Sequence, residues 1–531
     1  MRHFPGSELP EKPLAMLDLA LNERFSFQLA MRSDEAVNVV AELEGPAGWE
    51  LRVRRVGCVP VAHHNTPVLQ NPLDTDGLGQ IPGFVPDPLF DENKMLLPQN
   101  ETAAFWFTVK PGKNAKPGKY ELAVKLRCVD KDGADIARSR KCKLLAKLYD
   151  FEIAPRRDFD VTHWFYNDCL ITWYKTKMFD EKYWEILPAY VEDIVAHGQN
   201  VLYVPLFTPP LDTDKHPSQL LGVKKAAKGK YVFDWTDVRR YVKLAKKCGI
   251  TTFEWCHLFG QWGCKLALKI YEGQGETGKL LWPADTPATS DVYRKFLEQL
   301  LPELEKFLRE EKILSKSLFH ISDEPHGDEA KANYLAAKKM VAAIAPWMRC
   351  IDAVSQIEFG REKVIDVPVP SISTALDFNK EGIESWCYYC CGPRGEFLNH
   401  LMDTPLSKIA MHGFLFYRWP FKGFLHWGLN YWNVCQSRNL LDPFVFSDGK
   451  AWPGWAYGDT FLIYPGENGP IDSVRWEIFA EAMQDYALLQ TIGVDRYDKL
   501  IADVKSFSDF PKDASWRTTV RAKLLRQAAR K

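Results

Sequence analysis

Two carboxylates, Asp323 and Glu324, stand side by side in the middle of the chain, after an apolar run and directly before Pro325. A proline disfavours helical backbone at the residue before it, which predicts an extended or turn conformation for Glu324. Like charges this close oppose each other's ionisation, so one carboxyl can keep its proton near neutral pH. That protonation state suits general acid–base chemistry. The alternative interpretation is an exposed acidic pair, or a cap for a helix beginning near Asp328.

The elements that must position this pair repeat from about residue 160 onward. Short apolar runs alternate with stretches that carry apolar residues at helical spacing, which predicts strands alternating with helices. We expect strands near 160–165, 201–204, 250–253, 318–321, 350–351, 368–374, 385–389 and 423–427. Eight repeats match a (β/α)8 TIM-type barrel, in which functional side chains follow the carboxyl ends of the strands. An open doubly wound sheet competes, but its glycine-rich first turn is absent from the sequence.

The first part of the chain has a different pattern, because its apolar residues alternate with period two. The clearest sets lie within 25–31, 105–109 and 120–126, and Pro and Gly clusters separate them. Short alternating strands of this kind predict an antiparallel β-sandwich. We therefore assign residues 1–155 to a sandwich with a long ordered excursion at about 57–100. Residues 156–531 are assigned to a catalytic barrel with C-terminal helices.

Composition narrows the classes of partner. The formal net charge of -1 gives no electrostatic reason to expect nucleic acid or an anionic membrane as a partner. Eighteen tryptophans offer aromatic faces on which sugar rings stack, although large cores also absorb tryptophan. Twelve scattered cysteines favour a reducing compartment. No apolar leader is visible, so we expect a cytoplasmic protein or one whose signal peptide has been removed.

The densest cysteine cluster is Cys387, Cys390 and Cys391. A structural metal site normally needs a second matched pair of ligands, and the sequence offers none, so packing is the better interpretation. We expect no metal and no organic cofactor.

Several motifs, in one order along the chain, resemble glycoside hydrolase family 123. Asp323 and Glu324 match the family's catalytic pair, and the segment FVPDPL at 84–89 resembles a segment of its first domain. The C-terminal signature comprises GFLHWGLNYW at 423–432, DPF at 442–444, GD at 458–459, YPG at 464–466, SVRWE at 473–477 and DY at 485–486. The resemblance spans nearly the whole chain and implies an exo-acting β-N-acetylgalactosaminidase with a sandwich and a catalytic barrel.

The implied mechanism is substrate-assisted retention, an exception to the two-carboxylate scheme of most glycosidases. The substrate's own 2-acetamido carbonyl oxygen attacks the anomeric carbon and gives an oxazolinium intermediate. Glu324 would protonate the departing oxygen and later activate water. Asp323 would accept the acetamido N–H and stabilise the developing positive charge. The expected partner is a glycolipid or glycoprotein oligosaccharide that carries N-acetylgalactosamine at its non-reducing end.

Other residues that follow predicted strands are candidates for contacts with the sugar. Tyr388 or Tyr389 would donate to the acetamido carbonyl oxygen, and core packing is the alternative for either. The remaining candidates are His257, Trp262, Trp427, Asn430, Trp432 and Asp168. Structural packing competes for most of these as well, and a buried histidine with its hydrogen bonds satisfied competes for His257.

Two functional alternatives stay open. The chain could be a non-catalytic glycan-binding relative, although binding alone gives no reason to keep both carboxyls. It could instead be an exo-glycosidase for another β-linked sugar, either N-acetylglucosamine or a sugar without an acetamido group. In the last case Asp323 would have to be the nucleophile. Turnover of a panel of aryl β-glycosides distinguishes these readings.

Overall fold

The structure is a computed structural model that describes residues 1–11, 14–66, 71–136, 139–210 and 216–530. Its N-terminal part contains nine strands: β1 (Met16–Leu19), β2 (Phe25–Arg32), β3 (Val37–Glu44), β4 (Glu50–Val61), β5 (Gly83–Phe90), β6 (Lys94–Leu97), β7 (Thr102–Lys110), β8 (Gly118–Val129) and β9 (Arg140–Leu148). One sheet has the order β1-β9-β8-β3-β6 and the other β2-β7-β4-β5. Inward-facing residues of both sheets, such as Phe107 and Leu122, share one core. This arrangement is a β-sandwich.

Residues 57–100 differ from the excursion that we predicted there. They contain the end of β4 and all of β5 and β6, and β5 pairs along β4 while β6 pairs with β3. Two features hide the period-two pattern. β5 carries Pro86 and Pro88, and the register between β4 and β5 shifts between Val56 and Cys58.

The middle of the chain alternates strands and helices. In chain order it contains β10 (Asp160–His163), α1 (Asn167–Trp173), α2 (Glu181–Ala196), β11 (Val201–Val204), β12 (Gly222–Lys225), β13 (Tyr231–Asp234), α3 (Thr236–Cys248), β14 (Thr252–Trp255), α4 (Asp291–Glu310), β15 (Ser317–Phe319), α5 (Gly327–Ile344), β16 (Ile351–Ala353), α6 (Glu358–Arg361), β17 (Val367–Val369), α7 (Ala375–Lys380), β18 (Cys387–Tyr388), α8 (Leu406–Ile409), α9 (His412–Arg418) and β19 (Gly423–His426). α3 ends at Gly249, whose φ of 109° is a left-handed conformation that favours glycine.

Eight of these strands pair in parallel, in three hydrogen-bonded groups with the orders β10-β19-β18, β11-β14-β15 and β16-β17. Two isolated parallel bridges, Phe319 with Cys350 and Ser371 with Tyr388, connect the groups further. β12 and β13 form a separate antiparallel hairpin. The described strands thus show repeated parallel pairing between helices, and a closed eight-stranded barrel stays a prediction.

The C-terminal part contains the hairpin β20 (Ile463–Pro465) and β21 (Pro470–Asp472), followed by α10 (Val474–Ile492) and α11 (Ala514–Ala528). Short 3-10 helices lie at Ala227–Gly229, Leu314–Lys316 and Lys499–Ile501. α10 begins at the N-cap Ser473, whose side chain accepts from the backbone N–H of Trp476. Across the described ranges, no helix combines the length and the apolar character needed to cross a membrane.

A buried ion pair joins the sandwich to α10. Arg475 donates from Nε and Nη2 to the two carboxylate oxygens of Asp87 on β5, each at 2.9 Å, and both side chains are fully buried. The same guanidinium donates to the backbone carbonyls of His400, Gly458 and Phe461. Because its donors reach both β5 and the loops after β18 and β19, Arg475 fixes the sandwich against the segment that carries parallel strands.

Replacing Arg475 with Met should lower the Tm strongly. The change leaves Asp87 as a buried charge without its partner, which costs about 3–5 kcal/mol. Thermal unfolding followed by circular dichroism measures the effect. Arg361→Met is the matched control, because Arg361 pairs with Glu381 at the surface and its loss should leave the Tm nearly unchanged. Equal melting temperatures for the parent and Arg475→Met would contradict this account of the interface.

Candidate active site

The carboxyl pair lies at the carboxyl end of β15, where the loop that follows β14 runs beside it. The backbone N–H groups of Leu258 and Phe259 donate to the carbonyls of His320 and Ile321, each at 3.0 Å. Further along, the N–H of Trp262 donates to the carbonyl of Asp323 at 3.1 Å. These bonds continue the pairing of β14 with β15 beyond the last strand residue. They hold the backbone of Asp323 in a fixed position.

Glu324 has a left-handed backbone with a φ of 42°. We predicted an extended or turn conformation from Pro325; the proline excludes the right-handed helix, and the turn uses the left-handed region instead. A left-handed backbone costs a residue other than glycine of the order of 1–3 kcal/mol, so surrounding contacts must stabilise this conformation of Glu324. One such contact is visible: the hydroxyl of Tyr388, at the end of β18, donates to Oε1 of Glu324 at 2.5 Å. Glu324 itself is half-buried.

Asp323 is buried, with 8% of its surface exposed, and its Oδ2 accepts from Nε2 of Gln261 at 3.2 Å. Burial, and then the neighbouring carboxylate of Glu324, raise the pKa of Asp323 to about 8. Two adjacent carboxyls therefore hold a proton at neutral pH, as the sequence suggested. The raised pKa falls on Asp323, however, whereas the sequence-based roles needed the proton on Glu324.

A chain of buried charges lies beneath the pair. Nε2 of His320 contacts Oε1 of Glu254 at 2.7 Å, and Nδ1 contacts Oδ1 of Asp352 at 3.0 Å. Burial opposes the charged imidazole, but the hydrogen bonds to Asp352 and Glu254 raise the pKa of His320 to about 9. The backbone N–H of Ile321 also donates to Asp352 at 3.2 Å. A buried imidazolium between two carboxylates thus anchors the strand end that carries Asp323.

His257 lies in this interior and not at the surface. It is fully buried, stacks on the ring of His320 with centroids 4.3 Å apart, and its Nδ1 lies 3.0 Å from the hydroxyl of Tyr203. Burial, followed by the charge on His320, lowers the pKa of His257 well below its ordinary value. The structure therefore places His257 among the groups that support the strand end.

Three of the predicted contact residues are fully buried with their polar groups committed. The hydroxyl of Tyr389 lies between His400 Nδ1 at 2.8 Å and His412 Nε2 at 2.6 Å. It is directed into the interior, so of the two tyrosines only Tyr388 reaches the carboxyl pair.

The other two lie in the loop after β19. The side-chain amide of Asn430 accepts from the backbone N–H of Tyr166 at 2.7 Å and donates to its carbonyl at 3.1 Å. The indole N–H of Trp432 donates to the carbonyl of Ile463 at 3.1 Å. Asn430 therefore connects this loop to the segment after β10, and Trp432 connects it to the start of β20. Neither presents a free polar group to a sugar.

Trp262, Trp427 and Asp168 complete the predicted set. Trp262 is 49% exposed, and its backbone N–H is the one that donates to the carbonyl of Asp323. Trp427 is half-buried, and its indole N–H donates to Oδ2 of the buried Asp459 at 2.9 Å. Asp168 is buried near the start of α1, with Asn433 Nδ2 at 3.5 Å. Only Trp262 joins Asp323 through a direct backbone contact.

Sequence reasoning missed Gln261, which donates to Asp323. The available signal was weak: a polar side chain next to a predicted contact residue, in the loop after a strand. Asp459, left without a role by the sequence, accepts from Trp427 and lies 3.2 Å from Nε2 of His426. It orients the first aromatic residue after β19.

Among the residues that the structure describes, two groups of largely buried side chains have the composition of metal sites, namely His257 with His320 and Asp352, and Asp193 with His197 and Asp472. In the first, both nitrogens of His320 already contact carboxylates. In the second, burial opposes but Asp193 and Asp472 raise the pKa of His197 to about 10, which keeps it charged. In both groups, histidine ring nitrogens lie beside carboxylates, an arrangement that favours the charged imidazole over the neutral ring that a metal needs.

The site is a pair of carboxyls at the ends of parallel strands, with a tyrosine hydroxyl on one carboxylate and an exposed tryptophan whose backbone contacts the other residue. The catalytic-domain model of glycoside hydrolase family 123 matches residues 164–492, more than half of the chain. The chain belongs to this family of glycoside hydrolases. No curated protein matches it.

Among solved structures, the chain is similar to a family 123 glycoside hydrolase from Clostridium perfringens that was studied for glycolipid glycan hydrolysis. The identity is 15%, the TM-score is 0.75, and the match covers 98% of this chain and 95% of that chain. The shared fold thus extends over both parts of the molecule. A GH10 xylanase with a bacterial Ig-like domain from termite gut matches at 10% identity with a TM-score of 0.32, covering 85% of this chain and 98% of that chain.

Replacing Asp323 with Asn should raise the Tm relative to the parent, and the gain should grow between pH 5 and pH 8. The folded state holds a proton on Asp323 up to about pH 8, whereas the unfolded chain releases it near 3.8. Between these values the folded state binds more protons, so the parent loses stability as the pH rises, by at most about 1.4 kcal/mol per pH unit. Asparagine removes this titration.

Paired thermal melts at pH 5 and pH 8 measure the effect. Asp328→Asn is the control, because Asp328 lies nearby on the exposed start of α5. A difference between Asp323→Asn and the parent that stays constant over this pH range would show that the pKa of Asp323 is not raised.

Proposed function

We propose that the protein is a retaining, exo-acting β-N-acetylgalactosaminidase that uses substrate assistance. The single observation that carries the proposal is the position of Asp323 and Glu324, adjacent at the end of β15, where burial and the neighbouring carboxylate raise the pKa of Asp323. One carboxyl can face the glycosidic oxygen while its neighbour faces the 2-substituent of the same ring. Family membership supports the reaction type, and the choice of sugar and the oxazolinium route are our inferences from it.

The raised pKa of Asp323 suggests how the two roles are distributed. Before substrate binds, the raised pKa of Asp323 favours a proton on that carboxyl. An acetamido N–H that donates to Asp323 favours its ionised form, and a glycosidic oxygen next to Glu324 favours a protonated Glu324. Binding would therefore transfer the proton from Asp323 to Glu324. Glu324 then acts as the general acid, and ionised Asp323 stabilises the positive charge of the oxazolinium.

Tyr388 fits a role at Glu324 in addition to the acetamido contact that the family mechanism suggests. Its hydroxyl donates to Oε1 of Glu324, which leaves the other carboxylate oxygen for the glycosidic bond and later for water. When Glu324 is protonated it no longer needs this donor, and the hydroxyl can turn to the acetamido carbonyl. One tyrosine can thus serve both steps. Trp262 offers the exposed aromatic face on which a sugar can stack.

We also propose that the eight parallel strands close into the (β/α)8 barrel. The two bridges beside Phe319 and Tyr388 support continuity from β15 through β16 and β17 to β18. Between β10 and β11, the backbone N–H of Asn200 donates to the carbonyl of Val161 at 3.4 Å, and the N–H of Val161 donates to the Asn200 side chain at 2.9 Å. A closed barrel would bring the loops after all eight strands to one rim.

Glycolipid glycans are the substrate class that the Clostridium perfringens relative suggests, because that enzyme was analysed for glycolipid glycan hydrolysis. A terminal N-acetylgalactosamine differs from N-acetylglucosamine only at the 4-hydroxyl. We propose that a polar group at the rim recognises the axial 4-hydroxyl of the galacto sugar. Asp459 and Trp427, which share a hydrogen bond, are one such polar and aromatic pair beside the end of β19.

Replacing Glu324 with Gln should lower turnover of a natural disaccharide by roughly 10²–10⁴-fold, the range expected for loss of general acid–base assistance. Aryl glycosides with a good leaving group need little protonation to depart, so their glycosylation step should suffer less. Steady-state kinetics on both substrate types measure the contrast. The control is Glu329→Gln, on the exposed first turn of α5. Near-native turnover of the disaccharide by Glu324→Gln would assign the acid to another residue.

The kcat/KM for p-nitrophenyl β-N-acetylgalactosaminide should exceed that for the gluco epimer by on the order of tenfold or more. The wrong epimer leaves the partner of the 4-hydroxyl without a hydrogen bond, a cost of about 1–3 kcal/mol. Parallel assays of the two substrates with one enzyme preparation give the ratio. Equal rates, or a gluco preference, would reject the sugar assignment and leave the reaction type intact.

A further inference from the structure

Two neighbouring thiols lie in the loop directly after β18, the strand that ends at Tyr388. Cys390 and Cys391 are both partly exposed, and their Sγ atoms are 3.8 Å apart. Cys387 belongs to the same cluster in the sequence but is buried, with its Sγ 3.8 Å from the carbonyl of Gly423. The partly exposed pair is therefore distinct from the buried thiol.

The backbone around the pair is fixed. The N–H of Cys390 donates to the carbonyl of Gly392 at 3.0 Å, and Nδ2 of Asn399 donates to the carbonyl of Cys390 at 3.1 Å. The guanidinium of Arg394 donates to the carbonyl of Cys391 and to that of Asn65. Because the loop is tied from both sides, the two sulfur atoms are held together before any ligand binds.

The electrostatic environment favours a thiolate at Cys391. A hydrogen bond from the Cys390 thiol lowers the pKa of Cys391 below its ordinary value of 9.0, against burial and the charge on Asp459, and Arg394 lowers it further. The thiolate is the form of cysteine that binds metals and attacks electrophiles. One of the two sulfurs is thus closer to its reactive form than an ordinary exposed cysteine.

We propose that Cys390 and Cys391 form a chelating dithiol site for a thiophilic centre that takes two thiolates, such as Zn²⁺ or trivalent arsenic. Two Zn–S bonds of about 2.3 Å at the tetrahedral angle span about 3.8 Å between sulfurs. The observed separation of 3.8 Å matches this span. Two protein ligands leave the remaining positions of a Zn²⁺ ion to water.

The reaction with an organic arsenoxide balances without an oxidant. Two S–H bonds and the As=O bond break, two As–S bonds form, and the two hydrogens leave with the oxygen as one water molecule. Arsenic stays trivalent throughout. A single thiol forms only one As–S bond, and this adduct exchanges readily with other thiols, so a tight complex needs both cysteines.

A ligand bound to the two sulfur atoms should also affect Asp323 and Glu324. Tyr388, two residues before Cys390, donates to Glu324, and the Cys390 thiol lies within electrostatic range of both Glu324 and Asp459. A ligand that draws the two sulfurs together would shift the end of β18 and the Tyr388 hydroxyl. The site would thereby inhibit the glycosidase, and this part of the proposal rests on the proposed function.

Titration of the full-length protein with phenylarsine oxide tests the site itself. We expect one equivalent to bind, with an intact-mass increase of one arsenical less one water, and peptide mapping to place it at residues 390–391. An excess of the dithiol 2,3-dimercaptopropanol should remove it, and an equal excess of 2-mercaptoethanol should not. Cys390→Ser and Cys391→Ser should each weaken binding by about 100-fold or more, because each loses the chelate.

The matched control is Cys142→Ser, which removes a single exposed thiol on β9 and should bind as the parent does. Serine is close to cysteine in size, so the variants should fold, and a Tm measurement checks each one. The test needs only one of Cys390→Ser and Cys391→Ser to be folded. A second titration with ZnCl2, read by a metal-release dye, should follow the same order of variants. The site would be overturned if a folded Cys390 or Cys391 variant bound both probes as tightly as the parent does. It would also be overturned if the parent bound neither probe.

Turnover of p-nitrophenyl β-N-acetylgalactosaminide tests the coupling. One equivalent of phenylarsine oxide should lower the rate of the parent at least tenfold and leave the rate of Cys391→Ser unchanged. Stoichiometric binding with full turnover would overturn the coupling to Glu324. A parent without turnover of any β-N-acetylhexosaminide before the arsenical is added would contradict the proposed function instead, and the binding assays would still decide the site.

Discussion

The structure around the site depends on two adjacent carboxyls, of which one, Asp323, is buried. Burial and the charge of Glu324 together raise the pKa of Asp323, so ionisation of both carboxyls at once is unfavourable. Glu324 adds a left-handed backbone that only surrounding contacts can hold. The loop after β14 donates one backbone hydrogen bond to the carbonyl of Asp323, from Trp262, and the hydroxyl of Tyr388 donates to the carboxylate of Glu324. In the unfolded chain, water would solvate both carboxylates and their side chains could turn away from each other. The fold holds them in one arrangement.

Charge compensation extends well below the pair. The imidazolium of His320 between Glu254 and Asp352 fixes the strand end from the interior. Farther away, Arg475 joins α10 to Asp87 of the sandwich through fully buried bonds. A buried ion pair is costly to form and costlier to break by removing one partner. Such pairs therefore favour one arrangement of the sandwich and the strands.

The sequence predicted the features that depend on local pattern. Period-two alternation revealed β2, β7 and β8, and the apolar runs revealed the eight parallel strands, because both signals survive without tertiary context. Position after a strand also singled out Asp323 and Glu324; the structure places both at the end of β15, and their catalytic roles stay a prediction. The same rule failed for Asn430 and Tyr389, since whether a side chain after a strand turns outward depends on partners distant in sequence. Gln261 was missed for the same reason.

The most direct test of substrate-assisted catalysis varies the group that is claimed to attack. A series of p-nitrophenyl β-galactosaminides can carry acetamido, monofluoroacetamido, difluoroacetamido and trifluoroacetamido groups, which make the carbonyl oxygen progressively less nucleophilic. Our account predicts that kcat/KM of the parent falls steeply along the series, because this oxygen forms the bond to the anomeric carbon. A rate that is independent of fluorination would contradict the account and would make a protein carboxylate, with Asp323 as the first candidate, the nucleophile.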